Sequence, residues 1–341
     1  MPPIVSTPLR IGVLGAANIA RGFCAGVAPS TRVKVTAIAS RQAAKAEAFA
    51  REVGVGRWHG SYEALLADPA IDAIYNPLPN SMHAEWSIRA VEAGKHVLCE
   101  KPLCATGAEA RAMFAAAERK GVRLVEAYPY RSQPQTIRLK ELVASGAIGR
   151  VQIVRASFGI NIADPKNIRW DAALAGGSLM DAGSYPVSLV RLVTGERPQR
   201  VHALARWSES QVDRSLVATM EFKSGALAQI SCSFGTAYHR HALIAGESGA
   251  IETTYLNHPP AGGPPVLQLW RGMRSDNISL ETIETTPGNG FLAEAESFQR
   301  LVAEGPAAWN GATPEESIDI ALTLEAMLKS ARSGTMVEVG A

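Results

Sequence analysis

An acid and a phenol lie four residues apart in the second half of the chain, within GSLMDAGSYP (Gly177 to Pro186). On a helix Asp181 and Tyr185 would share one face, where a phenol can exchange a proton and a carboxylate can orient a neighbouring group. Pro186 lacks an N–H, so the shared face requires that any kink falls beyond Tyr185. The pair predicts a catalytic site, with structural packing as the alternative.

A lysine in the first half of the chain adds a third candidate. Lys101 follows the apolar stretch HVLC within Glu100-Lys101-Pro102, where a parallel strand would bring it to the ligand edge of its sheet. In a cleft beside a second cation, partial burial would lower the pKa of Lys101 towards neutrality and make it a proton relay. A salt bridge between Lys101 and Glu100 is the competing interpretation. A cis bond before Pro102 would fix the turn that aims the lysine.

A turn near the N-terminus predicts a nucleotide site formed by Gly15, Ala16, Ala17, Asn18 and Ile19. These residues stand between a predicted strand and a predicted helix and match the dinucleotide fingerprint, with Ala at the second and third glycine positions. Gly15 would allow a tight bend, and the N–H groups of the helix N-terminus would bind a pyrophosphate. An ordinary packing glycine is the alternative.

The end of the second predicted strand indicates which dinucleotide is bound. A carboxylate there would accept from a ribose 2′-hydroxyl and repel a 2′-phosphate, but the segment ends Ala39-Ser40-Arg41, with Lys45 one helical turn further on. One hydroxyl and two cations favour a 2′-phosphate. We therefore predict NADP as the cofactor, with NAD as the alternative. Arg41 and Lys45 could instead solvate a helix face.

A second loop is predicted at the same sheet edge, in NPLPN (Asn76 to Asn80). We assign Pro77, Leu78 and Asn80 to the cofactor site. His83 follows in the first turn of the next predicted helix and is assigned, at most, to the wall beside the nicotinamide, because a lone histidine is more often a structural hydrogen-bonding residue.

These residues need a framework of alternating strands and helices. Up to about Tyr130, continuous apolar runs alternate with helical stretches, which predicts a parallel sheet covered by helices on both faces. The predicted strands are Leu9 to Gly15, Val33 to Ser40, Asp72 to Asn76, His96 to Lys101 and Val122 to Tyr128. The clearest helix begins at Thr106, where Glu109 completes a capping box, and ends at Gly121.

The second half of the chain predicts a largely antiparallel sheet with flanking helices. The predicted strands are Val151 to Ile160, Arg200 to Trp207, Ser215 to Phe222, Ala226 to Phe234, His241 to Gly246 and Ala250 to Tyr255, and the helices are Gln133 to Ser145, Gly177 to Thr194, Phe291 to Ala303 and Pro314 to Arg332. The loop from His258 to Pro265 is rich in Pro and Gly and is predicted at the surface.

Composition excludes several classes of protein. The 341 residues and 47% hydrophobic content suffice for two domains with their own cores. The 34 Lys and Arg against 32 Asp and Glu leave a net charge of +2, too small for a nucleic-acid footprint. Four cysteines without paired spacing give no disulfide framework, so we expect no metal site and a cytoplasmic location. We also expect no membrane segment. Cys99 and Cys104 could together serve as metal ligands, but buried thiols without a ligand role are the simpler interpretation.

Taken in order, these motifs resemble the Gfo/Idh/MocA oxidoreductase family across essentially the whole chain. The resemblance is carried by the fingerprint, GKHVLCEKP (Gly94 to Pro102), EAYPYRSQP (Glu126 to Pro134), GSLMDAGSYP, a late GESGAIE turn (Gly246 to Glu252) and the final helix before Ser333. It implies an α/β fold: an N-terminal doubly wound Rossmann domain, placed at 1–130, and a C-terminal α/β domain with a large open, mostly antiparallel sheet, placed at 131–341. The last helix, about 314–332, is expected to pack back on the first domain.

The resemblance also implies roles for particular residues. Lys101 falls on the lysine that holds the substrate hydroxyl and assists proton transfer, and Asp181 and Tyr185 fall on the family's acid and His/Tyr pair. With a tyrosine at the second place of this pair, Tyr185, the chain resembles the branch that contains glucose-fructose oxidoreductase, NADP-dependent xylose dehydrogenase and dihydrodiol dehydrogenase. We further assign Glu100 and Arg131 to the cofactor, and Tyr130, Arg169 and Trp170 to the substrate; for the last two, a salt bridge and a core tryptophan are alternatives.

The expected reaction is hydride transfer between C4 of a nicotinamide and a carbinol carbon of a sugar or cyclic diol. Tyr185, its pKa lowered by Lys101, would exchange the hydroxyl proton. Two alternatives stay open: a nucleotide-binding regulatory protein on the same fold, and a sugar–sugar oxidoreductase whose cofactor never leaves. The expected partner is a polyhydroxylated small molecule, and the expected assembly is a homodimer or homotetramer through the C-terminal sheet.

Overall fold

Two β-sheets organise the chain, of which the computed structural model describes residues 7–258 and 263–340. The first sheet contains β1 (Leu9–Leu14), β2 (Val33–Ala39), β3 (Trp58–His59), β4 (Ala73–Asn76), β5 (His96–Glu100) and β6 (Leu124–Ala127). Its strands are parallel and ordered β3-β2-β1-β4-β5-β6, so β1 and β4 are neighbours where the strand order reverses. This is the doubly wound arrangement that the sequence predicts.

Helices cover both faces of this first sheet. They are α1 (Asn18–Val27), α2 (Ala43–Glu52), α3 (Tyr62–Leu66), α4 (His83–Glu92) and α5 (Gly107–Lys120). The predicted capping box is present in α5: Thr106 accepts from the N–H of Glu109, whose carboxylate accepts from the N–H of Thr106, and Gly121 ends the helix in a left-handed conformation. Local sequence therefore determines both ends of this helix.

The second sheet contains nine strands and begins after α6 (Pro134–Ala144). Its strands are β7 (Val151–Asn161), β8 (Arg200–Trp207), β9 (Asp213–Glu221), β10 (Leu227–Ser233), β11 (Gly235–Gly246), β12 (Gly249–Thr253), β13 (Val266–Arg271), β14 (Ser279–Glu284) and β15 (Val337–Glu338). The order is β14-β13-β12-β11-β7-β10-β9-β8-β15, and every neighbouring pair is antiparallel except β7 with β10. The predicted fold class is confirmed.

Three further helices follow in the second half, and two of them pack on helices of the first sheet. They are α7 (Ser184–Thr194), α8 (Gly290–Glu304) and α9 (Pro314–Ser333). Although α8 comes late in the chain, it packs on α1, and its Phe291 and Phe298 join the core of the first sheet. The last helix, α9, contacts both β8 and α5, and Glu325 accepts from the N–H of Gly107 at 2.9 Å. The boundary at residue 130 stays a prediction.

Sequence reasoning missed four strands: β3, β13, β14 and β15. β3 and β15 have two residues each, too few for a periodic pattern, and β14 is almost wholly exposed and has no buried face to mark it. Residues 259–262 of the predicted surface loop lie outside the described part of the chain.

All four cysteines are buried free thiols.

Candidate active site

Lys101 lies at the carboxyl end of β5, and the bond to Pro102 is cis. Its ammonium donates to Asp181 Oδ1 at 2.7 Å and to the Asp181 carbonyl at 3.3 Å. The Nζ atom is also 5.0 Å from the centroid of the Tyr185 ring. The structure therefore brings the three predicted catalytic residues together, although Lys101 and Asp181 are 80 residues apart in sequence.

Asp181 holds two cations. Its Oδ2 accepts from Arg169 Nε at 2.6 Å while Oδ1 accepts from Lys101. Burial alone would raise the pKa of Asp181, but these two cations lower it to about 2. Asp181 is therefore a permanent carboxylate that orients the lysine. Arg169, assigned to the substrate from sequence, forms the salt bridge that was its alternative.

A π-helical turn, Leu179–Gly183, carries Asp181 and leads directly into α7. Asp213 of β9 anchors this turn, because its Oδ2 accepts from Ser178 Oγ at 2.6 Å and from the Leu179 N–H at 2.7 Å. Pro186 is the third residue of α7 and follows both Asp181 and Tyr185, so the proline does not separate them.

Tyr185 is buried among aromatic rings at the start of α7, with 5% of its surface exposed. Tyr128 and Phe158 both lie edge-on at 5.5 Å between ring centroids, and Tyr130 lies at 6.0 Å. The phenol oxygen accepts from Asn257 Nδ2 at 2.9 Å. These contacts fix the orientation of the phenol against Lys101.

Two predicted pKa directions are wrong in the protein without ligand. Burial lowers the pKa of Lys101, but the negative charges of Asp181 and Glu100 outweigh it and the pKa is raised. Burial raises the pKa of Tyr185, and Lys101 and Arg240 only partly offset the rise. The prediction for Lys101 assumed a bound cationic nicotinamide beside the ammonium, and it overlooked the Asp181 carboxylate, which tertiary folding places against the ammonium.

The turn after β1 fits a dinucleotide pyrophosphate. Gly15 has φ of +88°, and a Cβ there would lie 3.1 Å from Leu78 Cδ2, so a side chain would be strained and crowded. The N-terminus of α1 has no side-chain cap and no acidic residue in its first turn, so its N–H groups are available to an anion. Asn18 and the half-exposed Ile19 face outward at this end. Ala16 and Ala17 are partly exposed in the same turn.

The end of β2 places basic groups beside this turn. Arg41 is exposed and lies close enough to the Tyr62 hydroxyl to offset part of the rise that burial causes in the pKa of Tyr62. That hydroxyl is 3.6 Å from the position of a Cβ on Gly15. Lys45 is exposed on α2, and Ser40 is buried, with its Oγ accepting from the Gln42 N–H at 3.4 Å.

The structure does not place His83 in the wall beside the nicotinamide, where the sequence assigned it. His83 is fully buried, and its ring nitrogens lie 2.8 Å from the Pro102 carbonyl and 2.7 Å from the Leu78 carbonyl. Burial lowers its pKa to about 4, and the two carbonyl contacts offset only part of this shift. His83 therefore ties the cis-proline turn to the loop that contains Leu78 and presents no surface to a ligand.

The other predicted residues of the loop after β4 differ in burial and in their contacts. Pro77 is buried, and Leu78 packs beneath Gly15. Asn80 is half-buried and donates from Nδ2 to the Ala175 carbonyl at 2.9 Å, which links the loop to the segment before the π-turn. Glu100 is buried and accepts from the Tyr75 hydroxyl at 2.7 Å, so it positions the end of β5.

The assignments of Arg131 and Tyr130 are also corrected. Both side chains are fully buried. Arg131 forms an ion pair with Glu316 at 2.9 Å and donates to Ser188 Oγ, and the Tyr130 hydroxyl shares the same Ser188 Oγ at 3.0 Å. They connect the turn after β6 to α7 and α9 instead of lining a cleft. Trp170 packs edge-on against Phe234 at 5.2 Å, partly buried in the second core.

Several residues at the site escaped sequence reasoning. Asp213, Arg240, Asn257 and Tyr75 contact the predicted site residues or the turn that carries them, and all but Asn257 lie on strands. Strand alternation could have placed Arg240 on the inner face of β11, since its neighbours His239 and His241 are exposed. No local signal marks the other three, because their partners are far away in sequence.

The described residues lack a metal-ligand cluster and a membrane-spanning helix. Within residues 7–258 and 263–340, no three His, Cys, Asp or Glu side chains are grouped as ligands for a metal ion. Among the helices that the structure describes, none combines the length and apolar character needed to span a bilayer.

Sequence and structural comparisons identify relatives over almost the full length. D-xylose 1-dehydrogenase (NADP(+)) 2 of Haloferax volcanii is 38% identical over 338 residues, 97% of this chain and 100% of that protein. Trans-1,2-dihydrobenzene-1,2-diol dehydrogenase of Danio rerio is 32% identical over 307 residues, 87% of this chain and 89% of that protein. A 3-ketoreductase from Actinomadura kijaniata, crystallised with NADP and TDP-benzene, has a TM-score of 0.84 at 31% identity and covers 95% of this chain and 98% of that chain.

Two family models match separate parts of the chain. The model described as an oxidoreductase family with an NAD-binding Rossmann fold matches residues 9–128, and that of the GFO/IDH/MocA C-terminal domain matches residues 136–252. The predicted family and enzyme class are thereby confirmed. Since both parts occur in order and a relative at 38% identity spans nearly the whole chain, this chain belongs to the Gfo/Idh/MocA family of oxidoreductases.

Proposed function

We propose that the protein is an NADP-dependent dehydrogenase or reductase that acts on a CH–OH group of a sugar or cyclic diol. Lys101 and Tyr185 relay the proton, and Asp181 positions Lys101. The observation that carries the proposal is the convergence of Lys101 Nζ on Asp181 Oδ1 at 2.7 Å and on the Tyr185 ring at 5.0 Å, at the carboxyl edge of a Rossmann sheet.

The dinucleotide fits the turn after β1. The positive φ of Gly15 and the uncapped α1 N-terminus form a cradle for its pyrophosphate, and Arg41 and Lys45 are the cations for a 2′-phosphate. The strand end carries Ser40 where NAD enzymes place a carboxylate. When bound, the nicotinamide supplies the acceptor or donor of hydride.

Each residue of the site has a separate task in this proposal. When the alcohol is oxidised, its C–H electron pair leaves as hydride and its hydroxyl proton passes to Tyr185 Oη; reduction reverses both transfers. Lys101 donates a hydrogen bond to the reacting oxygen and stabilises negative charge on it. Asp181 keeps Lys101 charged and in place, and Arg169 fixes the second carboxylate oxygen.

A screen with a matched variant tests this function. Purified protein is mixed with NADP and then NAD, a panel of aldoses, polyols and cyclic diols is added, and absorbance of the reduced nicotinamide is followed. We expect turnover on at least one polyhydroxylated substrate, with NADP preferred. Lys101→Met should abolish turnover and leave NADP binding, measured by calorimetry, unchanged, because Lys101 lies away from the α1 cradle.

Three outcomes would contradict the proposal in different ways. NADP binding without turnover on any candidate favours the regulatory alternative. Nucleotide that survives gel filtration, with one sugar oxidised while another is reduced, favours the closed sugar–sugar cycle. A Lys101→Met variant with the wild-type kcat removes Lys101 from the relay.

We also propose that the second sheet forms a homo-oligomer interface. One face of this sheet carries an unbroken row of apolar side chains across six strands, aligned by register: Leu280, Trp270, Ala250, Ala245, Ile153 and Leu227. Ile153 is 49% exposed and Leu227 is 52% exposed. A continuous exposed apolar surface of this kind is typical of protein interfaces.

A further inference from the structure

Arg240 lies inside a box of aromatic rings behind Tyr185. The guanidinium carbon is 4.0 Å from the Tyr185 ring centroid, and three other rings, those of Tyr255, Phe158 and Tyr130, lie at 4.6, 4.9 and 5.3 Å. Only 5% of the residue is exposed. An arginine remains charged at any accessible pH, so this is a permanent buried cation in contact with the proposed proton donor.

This cation has no carboxylate partner among residues 7–258 and 263–340. Within the same residues, Nε and Nη2 have no hydrogen-bond acceptor, and Nη1 donates only a long bond, 3.4 Å, to Asn257 Oδ1. Burying an unpaired charge costs several kcal/mol, partly recovered here by the four ring faces. A hydrophobic side chain would fill the box at lower cost, so the charge itself requires an explanation.

The arginine determines the orientation of Asn257. A guanidinium offers donors and no acceptor, so the side-chain carbonyl of Asn257 must face Arg240 and its NH2 group must face away. That NH2 group donates to Tyr185 Oη at 2.9 Å. The phenol oxygen is thereby an acceptor towards Asn257, and its own proton remains for another partner.

We propose that Arg240 is a positioning residue for Tyr185, acting through Asn257 to direct the phenol proton to the substrate oxygen and to stabilise the phenolate that remains. The inference rests on the proposed relay and deepens it. Atoms balance within the relay: the O–H bond of Tyr185 breaks as the O–H bond of the product alcohol forms, and the negative charge stays on the phenolate, whose oxygen accepts from Asn257 and whose ring contacts Arg240.

The charges around Tyr185 show why a second cation is needed. Lys101 faces the ring from β5, but Asp181 neutralises much of its charge at 2.7 Å. Arg169 also acts on Tyr185, and it too is paired with Asp181, while Glu100 opposes phenolate formation. The remaining titratable neighbours, Tyr128 and Tyr130, are neutral phenols. Arg240 is thus the cation in contact with Tyr185 whose charge no described carboxylate offsets.

Arg240→Met tests the role of the charge, because methionine fills the apolar box without it. The pH profile of kcat is measured on a substrate found in the screen, together with the ultraviolet absorbance change of tyrosinate in the apoprotein. We expect the pKa assigned to Tyr185 to rise by about 1 to 3 pH units. Both readouts should rise together, kcat should fall more than KM changes, and Arg240→Lys should restore most of the wild-type profile.

Asn257→Asp tests the route through the amide. The carboxylate is nearly isosteric and would pair with Arg240, which keeps the local fold, but it cannot donate to Tyr185 Oη. We expect a rise in the pKa of Tyr185 at least as large as that in Arg240→Met. Tyr185→Phe provides the reference, since subtracting its tyrosinate titration isolates the Tyr185 signal from the other phenols.

The outcomes separate the two proposals. If Tyr185→Phe keeps the wild-type kcat, the relay itself is wrong and the inference falls with it. If Tyr185→Phe abolishes turnover while folded Arg240→Met and Asn257→Asp both keep wild-type pH profiles, the relay stands and the role of Arg240 is overturned. A loss of kcat in Arg240→Met that Arg240→Lys does not restore, with an unchanged tyrosinate titration, would likewise reduce Arg240 to a packing residue.

Discussion

Buried carboxyl groups in this protein differ in protonation because they differ in their partners. Asp181 faces two cations, and its pKa is lowered to about 2. Burial dominates for Glu126, a residue of β6 with 1% exposure, and raises its pKa to about 7. The first is therefore an ion under all ordinary conditions, and the second exchanges a proton near neutrality.

The Glu126 carboxyl predicts a specific pH dependence of stability. Its pKa is about 7 in the folded protein and 4.5 in the unfolded chain, so the folded state binds more protons between these values and its stability falls as pH rises through that window. Glu126→Gln keeps the acceptor for the Leu103 N–H and cannot ionise. The free energy of unfolding should then decline less from pH 5 to 8, by up to about 3 kcal/mol.

Urea unfolding at several pH values measures this effect. Glu118→Gln is the matched control, because Glu118 is exposed on α5 and forms no salt bridge in the described structure. Parallel curves for Glu126→Gln and the wild-type protein would show that Glu126 does not titrate in this range.

At the scale of elements, the π-turn at the start of α7 decides whether Asp181 meets Lys101. Asp213 holds this turn from the neighbouring sheet, and Gly177 is required beside it, because a Cβ at that position would lie 2.2 Å from Asp213 Oδ1. The strand that positions this turn comes later in the chain, since Leu179 and Asp213 are 34 residues apart.

Removing this anchor should reduce catalysis without reducing cofactor binding. Asp213→Ala deletes the acceptor of the Ser178 hydroxyl and the Leu179 N–H, so we expect kcat to fall about 10-fold or more through misplacement of Asp181. The protein should also lose about 1 to 3 kcal/mol of stability. Turnover, NADP affinity and urea unfolding are the measurements.

Two variants sharpen this comparison. Asp213→Asn retains an acceptor oxygen and should recover most of kcat. Asp171→Ala removes a similar aspartate cap, which accepts from the Ala173 N–H at 2.8 Å in a neighbouring exposed turn, and should leave kcat near the wild-type value. Equal losses in Asp213→Ala and Asp171→Ala would mean that the anchor has no special role.

At the scale of the whole molecule, the two sheets are joined by elements that return from late in the chain. α8 contributes to the core of the first sheet, and α9 lies between α5 and β8. The site residues therefore sit in a frame closed by distant segments. The outer face of the second sheet remains uncovered in the single chain, including the apolar row through Ile153.

Ile153→Lys should disrupt the proposed oligomer, because it places a charge within that row, between Ala245 and Leu227, where association would have to bury it. Light scattering after gel filtration should show a reduced mass for this variant and a dimer or tetramer for the wild-type protein. Trp58→Lys is the control, since Trp58 is an exposed apolar residue on β3 of the other sheet. A monomeric wild-type protein would refute the interface.

Most elements and their order could be predicted from the sequence, because periodicity, caps and turn residues act over a few neighbouring positions. The capping box of α5, the β1 turn and the confirmed family all follow from such local patterns and their spacing. The bounds of β7, β8 and α6 were predicted to within a residue, whereas the first half of β11 and all of β13, β14 and the two-residue strands were not predicted.

Only the tertiary structure decided which charges meet. Lys101, Arg169 and Asp181 form one ionic group, His83 and Arg131 turn away from any cleft, and Arg240 stands behind Tyr185. These outcomes depend on contacts between residues tens of positions apart, and burial and pairing can reverse a pKa expected from residue type alone. Chemistry-bearing residues are thus visible in sequence, but their protonation and partners are properties of the folded chain.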